Sequence, residues 1–272
     1  MLSLRYIYLW LVLALLLATG CANAPRHNNQ TTTLPPTVTV SQAGVWQQLA
    51  YTNEQGATMK YALFTPKNYD PQRKYPLILW FHGAGARGTE LSTLLNESDQ
   101  HSIGYLARPD IQENFPAFVL APQLLPGRGW VARRASQDGS DLANALAIFD
   151  LARRQNSVDN ARLYVMGSSM GGFAAWYVMA QRPDVFAAGV PICGGGDEVN
   201  AAKLVNTPVW AFHGDQDEIV SVEFSRRMVS ALKQAGGQPK YTEYPNVGHH
   251  SWENAFQEKD LLPWLFAQKR GG

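Results

Sequence analysis

Cysteine is scarce in this sequence: its 272 residues contain two, Cys21 and Cys193. That excludes the disulfide framework that staples small secreted domains. An excess of one charge is also missing, with 23 Lys and Arg against 22 Asp and Glu and a net charge of +1. Cations and anions are mixed along the chain, so there is no electrostatic footprint for nucleic acid. The histidines lack metal-ligand spacing with Cys or carboxylates, and His249 and His250 are consecutive, so no metal is expected. There is no phosphate-cradling glycine loop and no repeat period, which leaves no expected cofactor and no solenoid.

A hydrophobic run long enough to span a bilayer is absent too. Residues 9–17 are apolar throughout but too short for a secure span. With Arg5 before them and Ala18-Thr19-Gly20-Cys21 after, they have the layout of a secretory signal. "LLLATGCAN" resembles a bacterial lipoprotein signal, in which the cysteine is lipidated and becomes the mature N-terminus. This implies residues 1–21 as signal peptide, lipidation at Cys21, and an exported protein anchored to the membrane of the cell envelope, facing the periplasm or exterior. Conventional cleavage nearby is the alternative, and it also exports the chain. Residues 22–44, rich in Asn, Thr, Pro and Gln, read as a flexible tether, and residues 45–272 as one catalytic-sized domain. With Cys21 modified, Cys193 has no partner and reads as a buried small hydrophobe.

After the tether, "VWQQLAYT" and "TMKYALFTP" alternate as short strands do. The runs "YPLILWFHG", "FPAFVLAPQ", "ARLYVMG", "AAGVPICGG", "TPVWAFHG" and "PKYTEYP" follow, most of them apolar throughout, as expected of strands buried on both faces. Helical period marks "SDLANALAIFDLARRQ", "MGGFAAWYVMAQRP", "VEFSRRMVSALKQAG" and "NAFQEKDLLPWLFAQ". The alternation predicts an α/β fold: a mostly parallel sheet of about eight strands, helices on both faces and no lid-sized insertion. Ligands bind such sheets beyond the carboxyl ends of the strands.

The informative residues stand there. In "ARLYVMGSSMGGFAAW" two serines occupy a strand-to-helix turn. Registered on Gly167 and Gly171, the pattern G-x-S-x-G selects Ser169 as nucleophile, since registering on Ser168 would put Met166 and Met170 where the turn needs glycine. Downstream, Asp215, Asp217 and Glu218 follow the strand in "TPVWAFHGDQDEIV", and His249 and His250 follow the last strand. That is the order of nucleophile, acid and base in hydrolases of this fold. Helix capping is the competing role for Asp215 and Glu218. "LILWFHGAGARGTE" ends a strand in a small-residue loop. The N–H of Ala84, joined by that of Met170 after the nucleophile, is expected to form an oxyanion hole. His82 and His213 read as structural.

Together "HGAGARG", "APQ", "GSSMGG", "PICGGGD", "WAFHGDQD" and "GHHSW" resemble the esterase/peptidase family of α/β hydrolases related to dienelactone hydrolases and to the prolyl oligopeptidase catalytic domain, over residues 58–268. The resemblance implies Ser169 as nucleophile, Asp217 as acid and His249 as base, with Ala84 and Met170 at the oxyanion. It departs from the family's H-G-x-G-E-R-G loop at Ala86, which puts the anchoring of that loop in question. The expected activity is hydrolysis of small-molecule carboxylic esters through an acyl-enzyme. The alternatives are a serine peptidase acting on short peptides and a non-catalytic binding protein on the same scaffold. Trp252, three residues after His249, and Trp130, in a loop after Ala121-Pro122-Gln123, are expected to line the substrate pocket.

Overall fold

The computed structural model describes residues 44–96, 103–131 and 140–271. The signal, the tether up to residue 43 and Cys21 lie outside the described residues.

All eight runs form strands: β1 (Trp46–Thr52), β2 (Thr58–Phe64), β3 (Tyr75–Phe81), β4 (Phe118–Pro122), β5 (Val158–Ser168), β6 (Ala188–Ile192), β7 (Trp210–Gly214) and β8 (Lys240–Tyr244). They build one sheet in the order β1-β2-β4-β3-β5-β6-β7-β8. β2 is antiparallel to both neighbours, and the remaining pairs are parallel. The helices are α1 (Leu91–Asn96), α2 (Ile103–Ala107), α3 (Pro109–Asn114), α4 (Ser140–Gln155), α5 (Met170–Gln181), α6 (Glu223–Gln234), α7 (Ser251–Gln257) and α8 (Leu261–Ala267).

The apolar runs have a direct physical reason. Every residue of β3 is buried. Its alternate side chains Leu77, Leu79 and Phe81 pack with Phe149 of α4, Trp176 of α5 and Met228 of α6. Ile78 and Trp80 point the other way, toward Tyr164 of β5, Phe256 of α7 and Leu262 of α8. A strand covered on both faces has no polar side to present, and each large apolar side chain so buried contributes about 1.5–3 kcal/mol.

One expected helix is two. The segment "NAFQEKDLLPWLFAQ" breaks at Glu258-Lys259-Asp260, between α7 and α8. Within a continuous helix Pro263 would have no N–H for the carbonyl four residues back and would clash with it. Restarting at Leu261 puts Pro263 in a first turn, where neither problem arises.

Register positions the site. Phe81 lies opposite Gly167, Ser168 opposite Ile192, and Ile192 opposite Phe212. The loops leaving β3, β5, β6 and β7 therefore emerge side by side. Between β6 and β7 the chain makes only a short 3-10 helix, Glu198–Leu204.

Candidate active site

Ser169 sits at the turn between β5 and α5 with φ 55°. That conformation is strained for a non-glycine residue, by about 1–3 kcal/mol, and the surroundings hold it. The Ser169 N–H donates to the Ile192 carbonyl at 2.9 Å and to Cys193 Sγ at 3.2 Å. A Cβ on Gly171 would collide with the Phe81 carbonyl, and one on Gly167 with the Gly171 carbonyl. The two glycines of the motif are thus required by close backbone approach at the crossing of β3, β5 and α5.

The structure brings three of the expected residues together in line. His249 Nε2 lies 2.8 Å from Ser169 Oγ, and His249 Nδ1 lies 2.7 Å from Asp217 Oδ2. Asp217 is buried, and its Oδ1 accepts from the N–H groups of Ile219 at 2.9 Å and Val220 at 2.8 Å. Burial works to raise its pKa, but those two donors and the His249 ring outweigh it and hold the carboxyl below its ordinary value. A carboxylate so placed fixes the imidazole with hydrogen on Nδ1 and a free Nε2 facing the serine, so the line can take a proton from Ser169.

The neighbouring candidates fall elsewhere. His250 is exposed and turns toward Glu253, 3.8 Å away. Asp215 accepts from the Asn246 N–H at 2.7 Å, closing the turn before His249. Neither Asp215 nor Glu218 caps a helix, because α6 begins only at Glu223, after Val222.

Ala84 opens a 3-10 turn, Ala84–Ala86, and Met170 is the first residue of α5, where backbone N–H groups have no acceptor within the helix. A Cβ on Gly83 would lie 3.7 Å from Ser169 Cβ, so this loop touches the serine. Its anchoring uses residues other than the absent glutamate. Gln123 Nε2 donates to the carbonyls of Ala86 at 3.1 Å and Glu90 at 3.0 Å, and Ala86 is fully buried. Burial, the largest influence, brings the His82 pKa down to about 4. The neutral ring donates from Nδ1 to the Gly83 carbonyl and accepts at Nε2 from the Leu124 N–H at 3.1 Å.

Trp130 corrects an expectation. It does not line the space around Ser169 but is fully buried, packed on Phe81 and His82, with Nε1 donating to the His82 carbonyl at 3.0 Å. The indole packs against Phe81 of β3 and bonds to the His82 carbonyl, so it supports the turn that begins at Gly83. Trp252 does reach the site: its ring stands perpendicular to His249 at 5.5 Å and lies over His250 at 4.6 Å. It lines a cavity of about 410 Å³ in front of Ser169, together with Trp80, Leu94, Ile103 and Ile219.

Two residues stand near the serine where the sequence did not place them, and Cys193 is the buried small side chain it was expected to be. Arg87 Nη2 contacts Met170 Sδ at 2.9 Å. Cys193, at φ 40°, is packed behind the elbow, and its sulfur, Asp217 and His249 lie within 4.8 Å of one another. Burial pushes the Cys193 thiol up strongly. A metal would require the thiolate, and the other two groups are bonded to each other, so this trio does not fit a metal site. No local pattern marks Cys193 as a neighbour of the serine; only the pairing of β6 with β5 does.

The dienelactone hydrolase family model matches residues 127–260. The chain is 24% identical over 229 residues to feruloyl esterase D of Neurospora crassa, covering 80% of this chain and 75% of that protein. It is 24% identical over 241 residues to the uncharacterized peptidase YuxL of Bacillus subtilis, covering 75% of this chain but only 35% of that protein. Among solved structures, a thermostable esterase superposes with a TM-score of 0.77 at 33% identity, over 83% of this chain and 63% of its own.

Proposed function

We propose that this chain, whose fold is that of the α/β hydrolases, hydrolyses carboxylic esters with Ser169 as nucleophile, His249 as general base and acid, and Asp217 as the carboxylate that orients the base. The observation that carries this reading is the unbroken line Asp217–His249–Ser169 at a strained elbow facing an apolar cavity. Ser169 Oγ attacks the ester carbonyl while His249 Nε2 takes its proton. The oxyanion accepts from the N–H groups of Ala84 and Met170. His249 then returns the proton to the leaving alcohol, and water attacks the acyl-enzyme by the same path.

The acid side of the substrate reads as apolar and aromatic. Trp252, Trp80 and Ile219 supply flat and branched apolar surface in the cavity, and feruloyl esterase D is among the relatives. The likeness to a peptidase favours cleavage of short peptides as the second reading. Turnover of p-nitrophenyl esters of rising acyl length and of aromatic acids, beside aminoacyl and prolyl amides, tests both. Esters are expected to dominate, and amides turned over faster than every ester would overturn the assignment. In the same panel Trp252→Ala should reorder the esters, losing most for aromatic acids, with a melting temperature close to that of the parent. A variant that melts far lower with an unchanged ranking would make Trp252 a core residue.

The reading includes export with an anchor at Cys21. Residues 1–21 support it, as does a relative described as an uncharacterized secreted protein of Arthroderma benhamiae, 23% identical over 249 residues. Among the described residues no helix is long and apolar enough to cross a membrane. Cys21→Ser is therefore expected to move the protein from the membrane fraction to the soluble exported fraction. Retention at the membrane would point to an uncleaved N-terminal segment.

A further inference from the structure

Asp217 has a second imidazole. His213, the fourth residue of β7, is fully buried, and its Nε2 lies 2.9 Å from the Val220 carbonyl and 3.2 Å from Asp217 Oδ2. On the other side of the ring, Nδ1 lies 2.8 Å from Ser225 Oγ, which itself lies 2.7 Å from the Gly194 carbonyl. With two oxygens and no donor facing Nε2, the ring hydrogen belongs there, and Nδ1 accepts from the Ser225 hydroxyl. Burial, the largest influence, lowers the pKa of this ring despite the oxygens at Nε2, which favours the neutral form. The titratable groups around it are Asp217, His249 and, opposite it on β8, Glu243, whose charge is taken up by Arg226.

We infer that His213 is a positioning residue for the proposed reaction: its Nε2–H, donating to the Val220 carbonyl at 2.9 Å and standing 3.2 Å from Asp217 Oδ2, braces the Asp217–Val220 turn so that Oδ2 stays in the plane where His249 Nδ1 meets it. The backbone donors of Ile219 and Val220 engage Oδ1 only. Because rotation about the Cβ–Cγ bond moves both oxygens together, those donors resist it from the Oδ1 side only, and any turn that remained would carry Oδ2 off the His249 ring. His213 opposes that rotation, and its own ring is held by Ser225 from α6. Through it α6 is tied to the acid. His213 touches neither substrate nor Ser169 in this scheme; it acts through Asp217.

The inference rests on Asp217 serving as the acid, and the test separates the two ideas. His213→Leu removes the donor, whereas His213→Gln restores an N–H donor. We expect kcat on an ester substrate to fall roughly 10- to 100-fold in the Leu variant at unchanged KM, a size typical of lost support behind a functional ligand, and to recover most of the way in the Gln variant. The downfield proton resonance of His249 Nδ1–H should weaken or shift in the Leu variant and return in the Gln variant. A merely structural histidine would not move that resonance at matched melting temperature. Ser225→Ala supplies a second route if the Leu variant does not fold, and should lower kcat by a smaller factor. A Leu variant within twofold of the parent, a Gln variant as impaired as Leu, or a Ser225→Ala variant with unaltered kcat and resonance would each overturn the proposal. Should the parent itself fail to react with a fluorophosphonate at Ser169, the failure belongs to the proposed function, because the resonance still reads His213.

Discussion

Ser169→Ala is expected to abolish labelling by a fluorophosphonate and to lower kcat by about 10⁶-fold, the scale of losing a serine nucleophile that acts with its histidine as a unit. Ser168→Ala should keep most of both. The two residues are adjacent and both nearly buried, so exposure does not separate them. Geometry does. Ser168 ends β5 in regular pairing with Ile192, while Ser169 turns to φ 55° and delivers its Oγ to within 2.8 Å of His249 Nε2. Alanine at 169 keeps the glycines, the strand crossing and the same backbone strain, so the melting temperature should stay close to that of the parent. Labelling that persists in Ser169→Ala, or that disappears in Ser168→Ala at unchanged melting, would overturn the register.

Asp217→Asn is expected to cost roughly 10⁴ in kcat, as loss of the orienting carboxylate does in a serine protease. An amide group in place of Oδ2 presents hydrogen to His249 Nδ1, which favours the tautomer carrying hydrogen on Nε2, and such a ring cannot accept the Ser169 proton. The amide oxygen can still receive the Ile219 and Val220 N–H groups at the Oδ1 position, so the loop is expected to persist. Asp215→Asn should be mild by comparison, because its bond to the Asn246 N–H survives in the amide. The pH dependence of stability carries a matching sign. Since the folded state holds the Asp217 carboxyl below its ordinary value, its contribution is fully present above the unfolded value, about 3.9, and is lost as pH falls through the folded one. Melting curves taken from neutral to acidic pH should therefore fall less steeply in Asp217→Asn than in the parent. Equal activity in the two Asn variants, or a larger loss at Asp215, would move the acid to the wrong carboxylate.

Much of the fold is legible locally because strands buried on both faces have to be apolar along their whole length, as in residues 75–81. The elbow is equally local: Gly167 and Gly171 are needed where backbones cross, and no other residue type fits there. Less legible is the break before Leu261, since a helical period continues through it and only the position of Pro263 argues for two helices. Trp130 misled for a related reason. A loop at the carboxyl end of a strand suggests a rim, but whether its indole faces the cavity or the core depends on packing with residues distant in sequence, and here it lies against Phe81.

The sequence by itself determined the order of the eight strands and of the helical segments after β4, though not α1 to α3, together with the turn that holds Ser169 and a short set of acids and histidines at strand ends, because each is a matter of spacing along one chain. Tertiary structure decided which members of that set meet. Among Asp215, Asp217 and Glu218, only the approach of the loop after β7 to the loop after β8 puts Asp217 at 2.7 Å from His249. Pairing of β6 with β5 puts Cys193 behind the elbow, while the second imidazole, His213, reaches Asp217 from four residues earlier, in β7. The contacts Ser169–Cys193, Asp217–His249 and Ser169–His249 join residues 24, 32 and 80 positions apart, and their distances follow from sheet register and helix packing, to which no local pattern of residues corresponds.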